Sequence, residues 1–245
     1  MKCRHTFITG GGLAVLLSLP LPGFAQSLGS AESFAVLAGS TVTNTGATTI
    51  LGSVGVSPGT GITGIPGGQP TGGSIHDNDA AAAQAHADLA LAYTALAGLV
   101  CPPANDLTGQ DLGGKTLGPG VYCFSSSAGL TGTLTLDGQG NAGSVFVIQI
   151  GSTLTTAGSS AVTLINGALL TNVYWQVGSS AVLDLGSVIY GNIVAMTSIT
   201  LNTGAKVHGR VLARDGQVSM DTNDVGDVST PTLRSSWGKL KLLYR

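Results

Sequence analysis

The sequence predicts an all-β chain of stacked three-sided coils carrying one long helix. Three observations lead there. Gly contributes 38 of 245 residues and charged residues only 9%, where about 25% is usual for a globular chain. Four short apolar segments align at spacings near one coil: Val147-Ile148-Gln149, Tyr174-Trp175-Gln176, Ile193-Val194-Ala195 and Val211-Leu212-Ala213. One stretch alone, Ala80 to Leu99, is composed almost wholly of good helix formers.

The coil reading follows from the spacing. The third residues of the four segments lie 27, 19 and 18 positions apart. About 18 residues per turn suits three short strands joined by Gly/Ser corners, and the longer interval implies an insertion. A further short strand follows each segment: Leu154 to Thr156, Ala181 to Leu183, Ile199 to Leu201, and Val218 to Met220. Val121-Tyr122-Cys123 reads as an earlier, degenerate member. In the N-terminal third, Phe34 to Leu37, Thr48 to Leu51 and Ser53 to Val56 are short β-like runs between Gly, Pro and Thr.

The helix, expected over about 78–99, can be capped by Asp77 or Asp79, and Pro102-Pro103 bars its continuation. Ala82, Ala85, Leu89, Ala92, Tyr93 and Leu96 recur at 3- and 4-residue intervals and form one apolar stripe. Its length of about 30 Å matches roughly six coils at about 4.8 Å each.

Residues 1–25 read as a secretory signal, with Lys2 and Arg4 before an apolar run from Leu13 to Leu21. Gly23-Phe24-Ala25 marks cleavage after Ala25. The run is too short to span a bilayer, and no later segment is long and apolar enough. The mature chain then holds Cys101 and Cys123, a pair expected to bridge in an oxidising compartment. Residues 26–230 form the expected β domain, and 231–245 a tail of mixed character. Four cations (Arg234, Lys239, Lys241, Arg245) alternate there with Leu233, Trp237, Leu240, Leu242, Leu243 and Tyr244. The bland reading is a frayed end.

Charge excludes one class of partner. Between Gln26 and Thr230 four basic residues face twelve acidic ones, a net of −8. No basic face exists to displace counterions from nucleic acid. Metal and catalytic signals are weak. Asp221-Thr222-Asn223-Asp224-Val225-Gly226 starts like a calcium loop, but Val225 and Thr232 replace ligands, so a surface turn is expected. No nucleophile–base–acid set surrounds His76 or His208, and His86 sits on the helix. Asp137, Asp184 and Asp215 are scattered rather than paired as a glycosidase requires. The expectation is no enzyme, no cofactor and no metal.

A small pattern recurs in Thr45-Gly46-Ala47-Thr48, Ala157-Gly158-Ser159-Ser160, Leu185-Gly186-Ser187-Val188 and Thr203-Gly204-Ala205-Lys206. Rows of Thr and Ser on stacked coils would make a flat surface able to hold ordered water. The alternative is that these are corners, with Gly supplying unusual dihedrals.

Together the segments resemble the DUF3494 family of secreted ice-binding proteins. The resemblance is carried by Phe34-Ala35-Val36-Leu37-Ala38-Gly39, Val42-Thr43-Asn44-Thr45-Gly46, Gly52 to Gly59, the Asp/Ala-rich helix and Leu117-Gly118-Pro119-Gly120-Val121-Tyr122. Val173 to Val177, Gly191-Asn192-Ile193 and Asn202-Thr203-Gly204-Ala205 with Gly209-Arg210 extend it. It implies a right-handed, discontinuous β-solenoid of triangular section with the helix packed along one face. It also implies that the N-terminal coil stacks out of sequence order, bringing Thr45 and Thr48 near Thr203. The implied partner is ice, bound without catalysis by a monomer through Thr45, Thr48, Ser160, Ser187 and Thr203. Weak to moderate antifreeze or recrystallisation-inhibiting activity is expected, with Lys206 interrupting the pattern. A carbohydrate-binding adhesion or matrix role on the same scaffold is the alternative.

Overall fold

The structure is a computed structural model that describes residues 27–226. The expected signal at 1–25 and tail at 231–245 lie outside the described residues.

Each turn of the chain visits three faces. Val173–Val177 runs on the first and Ala181–Leu183 on the second. Val188–Ala195 starts on the third and returns to the first. The return needs a sharp bend, and Gly191 and Gly209, paired across neighbouring coils, supply it with φ of 113° and 148°. A Cβ at Gly209 would strike the carbonyl of Gly191. All three faces are parallel sheets, as a coil that always turns the same way requires. The expected strands Leu154–Thr156, Ala181–Leu183 and Ile199–Leu201 are present with those bounds. Gly120–Phe124 pairs with Phe146–Ile150 as the earlier member of the series.

The register corrects one interval. Gln149 pairs with Gln176, Gln176 with Val194 and Val194 with Leu212, so the spacings are 27, 18 and 18 rather than 27, 19 and 18. Aligning Ala195 with Gln176 shifts this strand by one residue and reverses its two sides. The sequence could not choose, because Ile193, Val194 and Ala195 are all buried and apolar; one side faces the solenoid core and the other the helix.

The N-terminal coil stacks out of order, as expected. Val36 pairs with Val211, Val42 with Val218 and Thr49 with Asp224. Residues 34–50 therefore close onto the last described coil, and Ser53–Val56 and Ile62–Thr63 extend the stack beyond them.

The helix spans Ala80–Ala97, capped by Asp79, whose carboxylate accepts from the Ala82 N–H at 2.9 Å. Its 18 residues cover about 27 Å, close to the ~29 Å of the seven strands on the second face at about 4.8 Å each. The expected stripe is the buried one. Leu89, Tyr93 and Leu96 pack on Leu37, Val147, Tyr174, Val194 and Leu212 of the first face. Gln149 Nε2 donates to the carbonyls of Leu96 (2.7 Å) and Leu99 (2.9 Å), satisfying groups that a helix end leaves unpaired. Gln176 Nε2 donates to the Tyr93 hydroxyl at 2.9 Å. Just beyond, Cys101 and Cys123 are bonded, tying the helix exit to the first face.

The recurring Gly/Thr/Ser pattern proves to be the corner between the second and third faces. Register aligns Thr48, Asn223, Ala205, Ser187 and Ser160 in one column, and all of them are buried. Three expected site residues are thereby corrected: Thr48 is 2% exposed, Ser160 1% and Ser187 0%. The chain turns there with its last corner residue pointing inward, so only small or internally bonded side chains fit. Thr48 Oγ1 donates to Asn44 Oδ1 and accepts the Asn223 N–H at 3.1 Å. Asn44 Nδ2 donates to the Gly64 carbonyl (2.8 Å) and Asn223 Nδ2 to that of Ala205 (3.0 Å). This network stitches the inserted N-terminal coil to its neighbours on both sides.

Two outcomes follow. Replacing both Cys101 and Cys123 by Ser should lower unfolding free energy by about 3 kcal/mol for a loop of this length, read by denaturant melts with and without reductant. Thr48→Ala should cost about 1–3 kcal/mol, the penalty for leaving Asn44 and the Asn223 amide unsatisfied in the interior. Thermal melting checks it, and Thr45→Ala is the exposed control.

Candidate functional site

Of the three faces, the first is covered by the helix. The third carries charge and rings: Lys206 pairs with Asp224 at 2.8 Å, and Tyr190 stacks on His208 with centroids 4.6 Å apart. Lys206 thus lies on the third face, not in the second-face surface.

The second face differs from both. Its strands alternate, so one residue in two points inward, as Val42, Asn44, Val218, Met220, Ile199 and Leu201 do. The outward residues between them form rows across the coils. Hydrogen-bonded register aligns Thr63, Thr43, Ser219, Thr200, Val182, Thr155 and Gly129 in a central row. Each is partly or fully exposed. A second row is Thr41, Gln217, Ser198, Ser180, Thr153 and Ser127, whose carbonyls or amides are linked coil to coil. Neither row contains a charged or aromatic residue. Neighbours within a row are about 4.8 Å apart and the rows about 6.7 Å apart, from sheet and strand repeats.

The side chains in these rows are also oriented. Thr43 Oγ1 donates to Ser219 Oγ at 3.2 Å, and Ser127 and Thr153 share a bond of 2.9 Å. Thr is stiff at χ1 as well. Rows of this kind present hydroxyls and methyls at fixed intervals on a level, uncharged surface.

Along the corner edge the character changes. Thr45, Asp221, Asn202, Asp184 and Ala157 occupy this third row. Thr203 stands one residue beyond it, aligned with Gly46 rather than Thr45, so the expected match of the two motifs is displaced by one. Both Thr45 and Thr203 are exposed, but they serve a carboxylate. Asp221 accepts from Thr203 and from Thr222 (3.0 Å). These bonds, Thr203 first, hold its pKa below the ordinary value of 3.8. The backbone amide of Leu185, and then Asn202, act the same way on Asp184. The Asp221–Gly226 segment is a corner and strand, not a calcium loop: the Asn223 side chain is turned inward. Among the described residues no group of three or more His, Cys, Asp or Glu is placed to hold a metal ion.

The expected residues are therefore split, with Thr45 and Thr203 at one edge and Thr48, Ser160 and Ser187 in the interior. The central row was missed. Its signal was present in the x-Thr-x alternation of Val42-Thr43-Asn44 and Ile199-Thr200-Leu201 and in Val218-Ser219-Met220.

Comparison with known proteins agrees with this architecture. A family profile described as ice-binding-like matches residues 36–226. The chain is 55% identical over 201 residues to an ice-binding protein of Nostoc sp. (strain HG1), covering 82% of this chain and 73% of that one. It is 32% identical over 214 residues to an ice-binding protein of Colwellia sp., covering 82% and 83%. The crystal structure of an ice-binding protein from the Antarctic ascomycete Antarctomyces psychrotrophicus superimposes with a TM-score of 0.78 at 45% identity, covering 82% of this chain and 97% of that one. The chain belongs to the ice-binding-like family.

Proposed function

We propose that this protein binds ice through the second face of the solenoid, without catalysis. The observation that carries the reading is the pair of adjoining rows, Thr63 to Thr155 and Thr41 to Ser127, in which no residue is charged. Ice is a lattice of water, and a surface matches it by holding water at lattice-like intervals rather than by offering a reactive group. A Thr hydroxyl anchors a water, while its methyl excludes disordered water beside it. The parallel ladders fix those anchors in two directions. Because the face is rigid beforehand, adsorption loses little conformational entropy, and many weak contacts sum to strong retention.

Carbohydrate adhesion fits this face less well, since neither row offers an aromatic ring on which a sugar could stack. The signal-like pattern of residues 1–25 and the Cys101–Cys123 bond both support export to an oxidising compartment.

The reading is tested at its centre. Thr200→Tyr should remove ice-crystal faceting and most of the thermal hysteresis while leaving the melting temperature unchanged; Ala161→Tyr on the third face should leave both as they are. Retained faceting in Thr200→Tyr would end the proposal. Acid dependence should be simple. Both edge carboxylates have folded pKa values depressed below 3.8, so their contribution is complete above that pH and is lost as pH falls through the folded values. Faceting and hysteresis are expected to hold constant from about pH 5 to 9, with change confined to strong acid, as a pH series on a nanolitre osmometer would show.

A further inference from the structure

We infer that Val182 sets the working length of the ice-binding row, an inference that rests on the function proposed above. The central row begins with four consecutive hydroxyls, Thr63, Thr43, Ser219 and Thr200. Val182 follows, then Thr155, then Gly129. Thr155 is exposed and, like Thr200, is the outward residue of its strand, yet it is separated from the others by one central-row position without a hydroxyl. The coil of Val182 has no hydroxyl at its third-row or exposed corner position either. It carries Asp184 in the third row and Leu185, 59% exposed, at its corner.

Val and Thr have nearly the same shape, so Val182 leaves the face level. What it removes is one oxygen at one lattice position. Water above Val182 is reached only from the flanking rows, and both flanking groups are engaged: Ser180 Oγ accepts from the Ser198 amide, and the Asp184 carboxylate accepts from Asn202 Nδ2 at 3.1 Å. Ordered water seeded by Thr200 therefore has no central-row anchor in the next coil and does not reach Thr155. The central row is thus centred on the inserted N-terminal coil, and Thr155 adds little to it as long as Val182 stands between.

Thr and Val differ at this position by one oxygen in place of one methyl group. Position 182 is partly exposed, so a hydroxyl there can bond to water and carries no burial cost. Both residues favour strands, and the melting temperature should not move. Val182→Thr would join four hydroxyls to a fifth and, through Thr155, a sixth. Because linked contacts multiply, thermal hysteresis at equal molar concentration should rise at least about two-fold. Val182→Ala, which adds no oxygen, should give no rise, and Val188→Thr on the third face should match the parent. In the Val182→Thr background, Thr155→Val should remove part of the gain, whereas in the parent it should change hysteresis little. Hysteresis in Val182→Thr equal to or below the parent's, at unchanged melting temperature, overturns the inference. So does an equal rise in Val182→Ala. Failure of the wider reading is distinguishable, since it shows as retained faceting in Thr200→Tyr whatever Val182→Thr does.

Discussion

Parallel pairing between successive coils is the constraint on which the molecule depends. A parallel ladder holds every residue of one coil directly over its partner in the next, at about 4.8 Å. Any side-chain type that repeats therefore becomes a row. Apolar inward residues become a continuous core from Leu134 to Val54. The stripe of Leu and Val on the first face becomes a seat for the helix. Outward hydroxyls become a lattice. A catalytic site needs unlike groups converging on a point, and this architecture instead spreads like groups over a plane. The low charge content is part of the same logic, since like charges in neighbouring coils would repel at close range.

The helix and the N-terminal coil are the two departures from simple stacking, and they depend on each other. Residues 34–50 occupy a place beside the last described coil that only a chain returning over the full stack could reach. The helix makes that return journey, running antiparallel to the stacking direction from the Ile75–Asp77 end to Cys101. Its length is set by the height of the coils it must pass. Polar ties hold it along its length: Asp79 caps the start, Asp88 midway accepts from the Ser30 amide and hydroxyl, and Gln149 caps the far terminus. Arg210 adds a clamp where the N-terminal segment enters, donating to the Glu32 carbonyl and to Asn192. The face containing Thr43 thus owes its continuity with Ser219 and Thr200 to contacts far from it.

Much of the fold was legible in the sequence because it rests on local periodicity. The helix stripe from Ala82 to Leu96 and the short strands after each apolar segment needed only spacing to be read. The register of Ile193-Val194-Ala195 was not legible, since a strand apolar on both sides has no preferred face. The out-of-order coil was accessible only through family resemblance, because no spacing links Val36 to Val211. The site was half legible. Gly, Thr and Ser recur at the corners because a turn needs left-handed backbone at Gly46, Gly186 and Gly204. That need produces a conspicuous motif without reference to solvent. The strand alternation that puts Thr43 and Thr200 outward is quieter, and it was the informative signal.

Thr48 and Thr43 show why residue type alone could not assign the site. They lie five positions apart in one coil, and both are hydroxyls in a favourable motif. Thr48 is inside the corner, where its oxygen completes a network with Asn44 and Asn223 and has no access to water. Thr43 is on a strand, where the pleat turns it outward and the next coil supplies Ser219 as a neighbour. The first contributes to holding the N-terminal coil in place, and the second uses the surface that this coil completes. An oxygen at 48 therefore acts on stability while one at 43 stands on the face proposed to bind ice, and the difference between them is decided by a single step around the corner of the solenoid.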